Sequence, residues 1–304
     1  MTEGHNQNLV LKDSLTTERK RHVTQPFTMP SPKIAFLGPE GTFAHLAAQR
    51  RFGDKSSLIP AASVRDVFDY VAKDRSRLGV VPIENSSGGT IYETVDRLVD
   101  RSYQLFIQEA LSINVRLALL GKNKKNIHVI YSHFAPLHHC ETWLRNNFPN
   151  AELRKEASTA TAVKKAAGQK GAAAIGNRDA AQRYKLNILE FPIEQDVQNV
   201  TQFFVLGHAN ILSNDSSRTS LVVVLPNRPG SLVDFLEPFK NEGVNLSRVI
   251  SRPVVGNPET YVFLVDIAGT EREKKIKAAL KKAGLVTSYI KSIGSYPVRE
   301  TYES

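Results

Sequence analysis

The chain has a single cysteine, Cys140. That scarcity excludes an intrachain disulfide framework and any zinc site built from cysteines, and it suits a reducing compartment. Cys140 itself reads as a small buried hydrophobe. Long apolar runs are also lacking. No window approaches the eighteen apolar residues of a membrane span, and the first 32 residues hold no stretch of the kind a secretory leader uses. A cytoplasmic protein without a membrane partner is the expectation. Residues 1–32 are polar, with a basic cluster at Arg19, Lys20 and Arg21, and are expected to form a disordered tail.

Acidic residues are in short supply as well, 30 against 40 basic ones, for a net charge of +10. Much of the excess is local. Glu271 to Lys282 holds six basic and two acidic residues, spread as on a solvated helix face rather than as a nucleic-acid footprint. No nucleic-acid partner is expected, and the remaining positive field favours a small anionic substrate.

With 304 residues, 41% of them hydrophobic, the chain can build two cores. From Lys33 onward, short apolar runs at Ile34, Leu78, His128, Ala172 and Thr201 alternate with helical patterns, which predicts an α/β domain over residues 33–210. Helices are expected near His45–Arg51, Val64–Lys73, Pro136–Asn146, Ala160–Ala167 and Arg178–Arg183. The segment Phe106 to Leu120 crosses to a second lobe and the chain returns near residue 195, leaving a cleft where a small ligand binds. Residues 211–218 have linker composition. Residues 219–299 then read as a ferredoxin-like βαββαβ unit: strand Leu221–Leu225, helix Leu232–Glu242, strands Leu246–Arg252 and Tyr261–Ile267, helix Arg272–Ala283 and strand Leu285–Ile293.

The most informative segment is PIENSSGGT, from Pro82 to Thr90. An apolar strand ends here by delivering a carboxylate, an amide, two hydroxyls and two glycines to a helix start, a pattern that reads either as a plain N-cap turn or as a site where free N–H groups receive an anion. Glu84, Asn85 and Ser86 are therefore candidate substrate-orienting groups, with Glu84 a candidate proton reservoir. Thr42 follows a glycine turn and Ser158 and Thr159 precede a helix, so each can cap a helix, bind a carboxylate, or both. His133, at a strand end, serves either as an acid or as a structural residue.

GPEGTFAHLAA at Gly38, PIENSSGGT at Pro82, SHFAPLHHC at Ser132, STATA at Ser158, AAIGNRDAAQRYKL at Ala173 and NVTQF at Asn199 resemble, in order and spacing, the motifs of prephenate dehydratases. PGSL at Pro229 and SRPVVGNPE at Ser251 resemble those of the attached ACT regulatory domain. The resemblance implies a two-lobed, periplasmic-binding-protein-like catalytic domain followed by the ACT domain. It also implies a carbon–oxygen hydro-lyase that converts prephenate to phenylpyruvate with loss of water and carbon dioxide, on the way to L-phenylalanine. Neither cofactor nor metal is called for.

Thr201 matches the family's catalytic threonine, and the resemblance gives its hydroxyl the departing ring hydroxyl to assist. An isolated alcohol is a poor general acid near neutral pH, so donation of a hydrogen bond or relay is its expected role. Asn199, Gln202 and Phe203 join the expected substrate site by the same match. Feedback by L-phenylalanine is implied at Pro229, Gly230, Ser231, Leu232, Asn245, Leu246, Ser251, Arg252 and Pro253, between paired subunits of a homodimer or homotetramer.

Four residues depart from the pattern. Gln202 stands where arginine is usual, Ala44 where serine or threonine is usual, Phe134 for the proline of SHP, and Ile250 for the glutamate of ESRP. If residue 202 contacts substrate, losing its charge costs about 1 to 1.5 kcal/mol. Ile250 removes a partner for an ammonium. Action on arogenate, prephenate decarboxylation without aromatisation, and a non-catalytic amino-acid-sensing role stay open as alternatives.

Overall fold

The computed structural model describes residues 32–53, 56–254 and 257–304. The tail expected over residues 1–32 falls, but for its last residue, outside the described residues. The first lobe opens with β1 (Lys33–Leu37), α1 (Phe43–Phe52), β2 (Ser57–Ala61), α2 (Val64–Ala72), β3 (Leu78–Asn85), β4 (Gly89–Thr90), α3 (Tyr92–Val99) and β5 (Phe106–Asn114). α2 shows why these segments fold as they do. Val64, Val67, Phe68 and Val71 recur at helical spacing and are all buried, and the Ser63 side chain caps the helix by accepting the Asp66 N–H.

The chain then crosses to a second lobe: β6 (Ala118–Gly121), β7 (Val129–Ser132), α4 (Phe134–His139), α5 (Glu141–Asn147), β8 (Glu152–Lys155), α6 (Thr159–Gly168), β9 (Ala172–Gly176), α7 (Ala180–Arg183) and β10 (Asn187–Glu190). These strands form one sheet in the order β10-β6-β9-β7-β8. β11 (Val200–Gly207) returns to the first lobe, inserting antiparallel between β3 and β5. The outgoing and returning crossings run side by side, the Val115 N–H donating to Asn199 O at 2.7 Å and the Ile193 N–H to Leu117 O at 2.9 Å. These two segments join the lobes. One apolar core, including Phe36, Leu46, Leu119, Ile130, Trp143 and Phe203, runs through both lobes beside them.

The third unit contains β12 (Arg218–Val224), α8 (Ser231–Asn241), β13 (Leu246–Val254), β14 (Asn257–Ala268), α9 (Lys274–Gly284) and β15 (Tyr289–Tyr296), with sheet order β13-β14-β12-β15. Side chains alternate across the sheet. Leu221, Val223, Val265 and Ile267 pack under Phe235, Phe239 and Ile276 of the helices. Val222, Val262, Leu264 and Ile293 on the other face share a core with Val67, Phe68, Val95 and Phe204 of the first lobe. The expected last strand, Leu285–Ile293, starts later than predicted because α9 runs to Gly284 and Leu285 caps it, largely exposed.

The expected boundary at residue 299 is corrected. After β15 the chain leaves the βαββαβ unit, and β16 (Val298–Glu303) pairs parallel with β5 as the edge strand of the catalytic sheet, whose order is β16-β5-β11-β3-β1-β2 with β4 on β3. Its polar alternation, VRETYE, carries little core signal, because pairing holds most of the strand and only Tyr302 packs on the core. β8, whose four residues are all exposed, escaped the hydrophobic pattern for the same reason. Among the described residues no helix is long and apolar enough to cross a membrane.

Gly294 permits the close approach of β15 to β5. Its φ is +137°, and a Cβ there would stand 2.3 Å from Ile107 O, a backbone atom. Gly294→Ala should therefore destabilise the protein by about 2 to 4 kcal/mol, from backbone strain and overpacking together. The midpoint of urea unfolding measures the loss; an unchanged midpoint would show that the two strands can separate freely.

Candidate active site

The pairing of β3 with β11 sets Thr201 opposite Asn85 and Gln202 opposite Glu84. Successive strand residues point to opposite faces, so this register sorts the four side chains into two pairs. On one face the Asn85 Nδ2 donates to Thr201 Oγ1 at 2.8 Å. On the other, Arg248 from β13 donates to Glu84 Oε2 at 2.7 Å and to Gln202 Oε1 at 2.6 Å.

The first pair belongs to a hydrogen-bond chain whose direction is determined throughout. Asn85 Oδ1 accepts the Ser87 N–H at 3.1 Å and the Gly88 N–H at 2.8 Å. Since both partners are backbone donors, the other end of the amide must be its NH₂. That group donates to Thr201 and, at 2.7 Å, to Asn199 Oδ1. The Asn199 NH₂ in turn lies 3.0 Å from His139 Nδ1, which must be the acceptor. His139 is buried, and desolvation, reinforced by the neighbouring His138, lowers its pKa from 6.5, so the imidazole is neutral and its own proton sits on Nε2. Thr201 Oγ1 is thus an acceptor toward the protein. Among the described residues no acceptor takes its hydroxyl hydrogen.

Several expected site residues stand elsewhere. Glu84, expected as a proton reservoir for the cleft, is corrected to the opposite face, where it meets Arg248, because it precedes Asn85 by one strand position. Gln202 is corrected in the same way: its departure from arginine touches Arg248 and not the Thr201 face, and an arginine at 202 would set two guanidinium groups together. Phe203 is 1% exposed in the shared core, with no surface for a ligand. The Ser86 hydroxyl is occupied, donating to Gln198 O and accepting the Val200 N–H, so it staples the loop to β11. Ala44 is buried in the core.

Thr42 caps α1, accepting the His45 N–H at 3.2 Å while donating to Leu37 O at 3.0 Å. Ser158 caps α6, accepting the Thr161 N–H at 3.1 Å, and Thr159 is buried beside it. These two helix starts face each other across the lobes: a Cβ on Gly41 would lie 3.8 Å from the Ala160 side chain. Glu40 pairs there with Arg183, and Tyr184 donates to Glu40 O at 3.4 Å. A cavity of about 380 Å³ adjoins His139 and is lined by Thr142, Arg145 and Asp196. A second, of about 430 Å³, lies between α1 and α7 and is lined by Gly41, His45, Gln49, Asn177, Gln182 and Arg183. Neither is lined by Thr201.

His133 starts α4 with its ring against Phe134 and its side chain caps no N–H; burial lowers its pKa. The histidine that joins the network is His139, in the same SHFAPLHHC segment. His133 stands at the strand end, and the six residues of α4, between one and two turns, carry His139 on to Asn199. Cys140 is buried, with its thiol pushed up to about 12 by desolvation, and is unreactive. Among the described residues no group of His, Cys, Asp and Glu has the arrangement of a metal site.

In the third unit Gly230 adopts φ +83° to start α8, and the buried Ser231 hydroxyl donates to Pro226 O at 2.7 Å, closing the turn that follows Pro229. Leu232, Asn245, Ser251 and Pro253 are exposed and Leu246 half-buried. Arg252 is separated from Ser251 by the alternation of β13: it faces the first lobe and holds Asp96 at 2.6 and 2.8 Å. Ile250 faces the same way, against the shared core, so its replacement of glutamate alters domain packing.

Two α/β lobes joined beside a Thr–Asn–Asn–His chain, followed by a ferredoxin-like unit, define a small-molecule-binding catalytic domain with a regulatory module. The profile described as prephenate dehydratase matches residues 34–211, and that described as ACT domain matches residues 219–285. The chain belongs to the prephenate dehydratase family. The bifunctional chorismate mutase/prephenate dehydratase of Pseudomonas aeruginosa is 37% identical over 267 residues, 87% of this chain and 73% of the relative. The structure of prephenate dehydratase from Arthrobacter aurescens in complex with L-Phe is 28% identical, with a TM-score of 0.80 over 87% of this chain and 89% of that one. A chain described as GqqA, of a novel type of quorum quenching acylases, has a TM-score of 0.80 over 88% of this chain and 97% of its own at 23% identity, a likeness of fold alone.

The network carries a pH dependence. His139 accepts from Asn199 only while neutral, so turnover should decline on the acid side below pH 6.5, as the pH falls through the lowered pKa of the folded protein. Stability should fall over the same window, since the unfolded chain takes up the proton that the folded site refuses. Rates and unfolding midpoints between pH 7.5 and 5 test this. An acid limb unchanged in His139→Gln would assign it to another group.

Proposed function

We propose that the prephenate dehydratase activity of this chain is carried by Thr201, with its hydroxyl aimed by Asn85. The observation that carries this reading is the donor–acceptor polarity: Asn85 gives Thr201 a hydrogen bond, which orients the threonine O–H toward the substrate. In the reaction the electron pair of the C–carboxylate bond enters the ring as carbon dioxide leaves, and the ring hydroxyl departs. The hydroxyl hydrogen of Thr201 meets the developing hydroxide, which becomes water with one proton drawn ultimately from solvent. Aromatisation drives the step, so positioning and stabilisation of the leaving oxygen are what the protein adds.

The starts of α1 and α6, with Thr42, Ser158 and Thr159, are assigned to the substrate carboxylates. Free N–H groups and the helix dipole favour negative charge there without supplying a reactive base. Of the two departures that motivated arogenate as substrate, Gln202 lies off the Thr201 face, while Ala44 is buried in the core beside the start of α1. The placement of Gln202 favours prephenate.

L-phenylalanine is proposed as the effector, as in the Arthrobacter aurescens complex, at the exposed edge of β13 and the Pro229–Leu232 turn. Val233, Val249 and Tyr261 are exposed on this unit, which supports assembly of a homodimer or homotetramer through it. The lone buried cysteine fits a cytoplasmic setting.

Purified protein should convert prephenate to phenylpyruvate, identified by ultraviolet absorbance and mass. Thr201→Val should lower kcat by about 10² to 10⁴; undiminished turnover would remove Thr201 from the mechanism. Asn199→Ala, which frees the Asn85 amide and leaves His139 without its donor, should lower kcat about tenfold, the equivalent of one hydrogen bond.

A further inference from the structure

β13 bears on the catalytic segment at both of its ends. Arg248, Ile250 and Arg252 occupy alternate positions of one strand and so face the first lobe together. Arg248 reaches Glu84, the residue before Asn85, and also Gln202, the residue after Thr201. Arg252 forks onto Asp96 of α3, the helix that follows the Asn85–Thr90 loop, with its guanidinium 4.7 Å from the Tyr92 ring centroid. Ile250 fills the space between them.

The Arg248 side chain is only 7% exposed and is anchored on the fully buried Asp266, which also accepts from Ser220. Its Nε–H is buried without an acceptor among the described residues, so the two Nη arms alone fix the group. An arginine so anchored moves with its own sheet.

We propose that β13 is the strut through which the ACT domain sets the catalytic cleft: Arg248 and Arg252 are positioning residues that hold both ends of the segment 84–96, and with it Asn85 and Thr201. The physical reason is leverage. Asn85 and Thr201 must keep a 2.8 Å hydrogen bond across two strands, and each strand is held by the same guanidinium at the adjoining residue. A displacement of β13 by a ligand on its opposite, exposed face is delivered to both strands at once. Geometry of this kind is sensitive to shifts well below an ångström. The coupling to an effector rests on phenylalanine acting at the ACT domain, as proposed above; the positioning does not.

The two arms can be cut at their half-exposed ends, where folding is little affected. On the full chain, Glu84→Gln and Asp96→Asn should each lower kcat about threefold to thirtyfold, the range for one charge-assisted hydrogen bond partly screened by solvent. KM for prephenate should stay within about twofold and the unfolding midpoint should be unchanged. Arg252→Lys, which keeps a charge facing Asp96 but not the fork, should lower kcat less than Asp96→Asn does. In the double variant phenylalanine should bind calorimetrically as to the wild type while the concentration for half-inhibition rises about tenfold or more.

Wild-type kcat in both single variants overturns the positioning. Lowered kcat with an unmoved inhibition curve overturns the coupling. A wild-type protein that neither binds phenylalanine nor is inhibited by it overturns the effector reading instead, and kcat alone then decides whether β13 is a strut.

Discussion

The antiparallel register of β3 on β11 is the constraint on which the rest of the structure depends. A strand has a side-chain period of two, so setting Thr201 beside Asn85 necessarily sets Gln202 beside Glu84 on the other face. One pair enters the hydrogen-bond chain to His139, and the other meets the third unit. A one-residue slip of β11 would turn Thr201 toward Arg248, and one of β3 would turn the carboxylate of Glu84 toward the cleft. The β4 pairing, the Asn85-centred turn and the Ser86 staple to β11 all guard that register.

The two sides of this sheet are held with different strengths. Toward the third unit lie an apolar core, the backbone contact at Gly294, and an edge strand returned to the catalytic sheet. β16 also covers β5, which would otherwise expose unpaired backbone, and Arg299 on it shares the half-buried Glu109 with Arg51 of α1. Those charges favour the ionised carboxyl, outweighing the opposing effect of burial, and hold Glu109 below its usual pKa, so this link persists until acid pH. At the mouth between the lobes, by contrast, the contacts are half-exposed ion pairs such as Glu40–Arg183 and Arg50–Asp179. Each such pair is worth about 0 to 1 kcal/mol. The ion pairs at the mouth are thus weak beside the apolar core that the two lobes share.

Much of the architecture could be read from the residues alone. The alternation of apolar runs and helical spacing located the strands β1, β3, β7, β9 and β11, the crossing after Phe106 and the return before Val200, because buried elements must carry their hydrophobic period in the sequence. The six dispersed motifs identified the family, and Asn85, Asn199 and Thr201 were among the residues they marked. Segments held mainly by pairing, β8 and β16, carried no such signal.

What the sequence could not determine was direction. Glu84 and Asn85, like Thr201 and Gln202, are neighbours in the chain with the same apparent claim on the cleft, and only the pairing of strands more than a hundred residues apart divides them between two faces. The partners His139 and Arg248 were hidden for a related reason: one is brought by a helix of the other lobe and the other by a separate domain. Composition and local spacing thus determined which elements form and to which family they belong, because those depend on periodicity within a segment. The polarity of the hydrogen bond to Thr201 and the contact that ties it to the ACT sheet were decided by tertiary structure alone, because a hydrogen bond needs two groups at 2.8 Å and the sequence carries no distance between them.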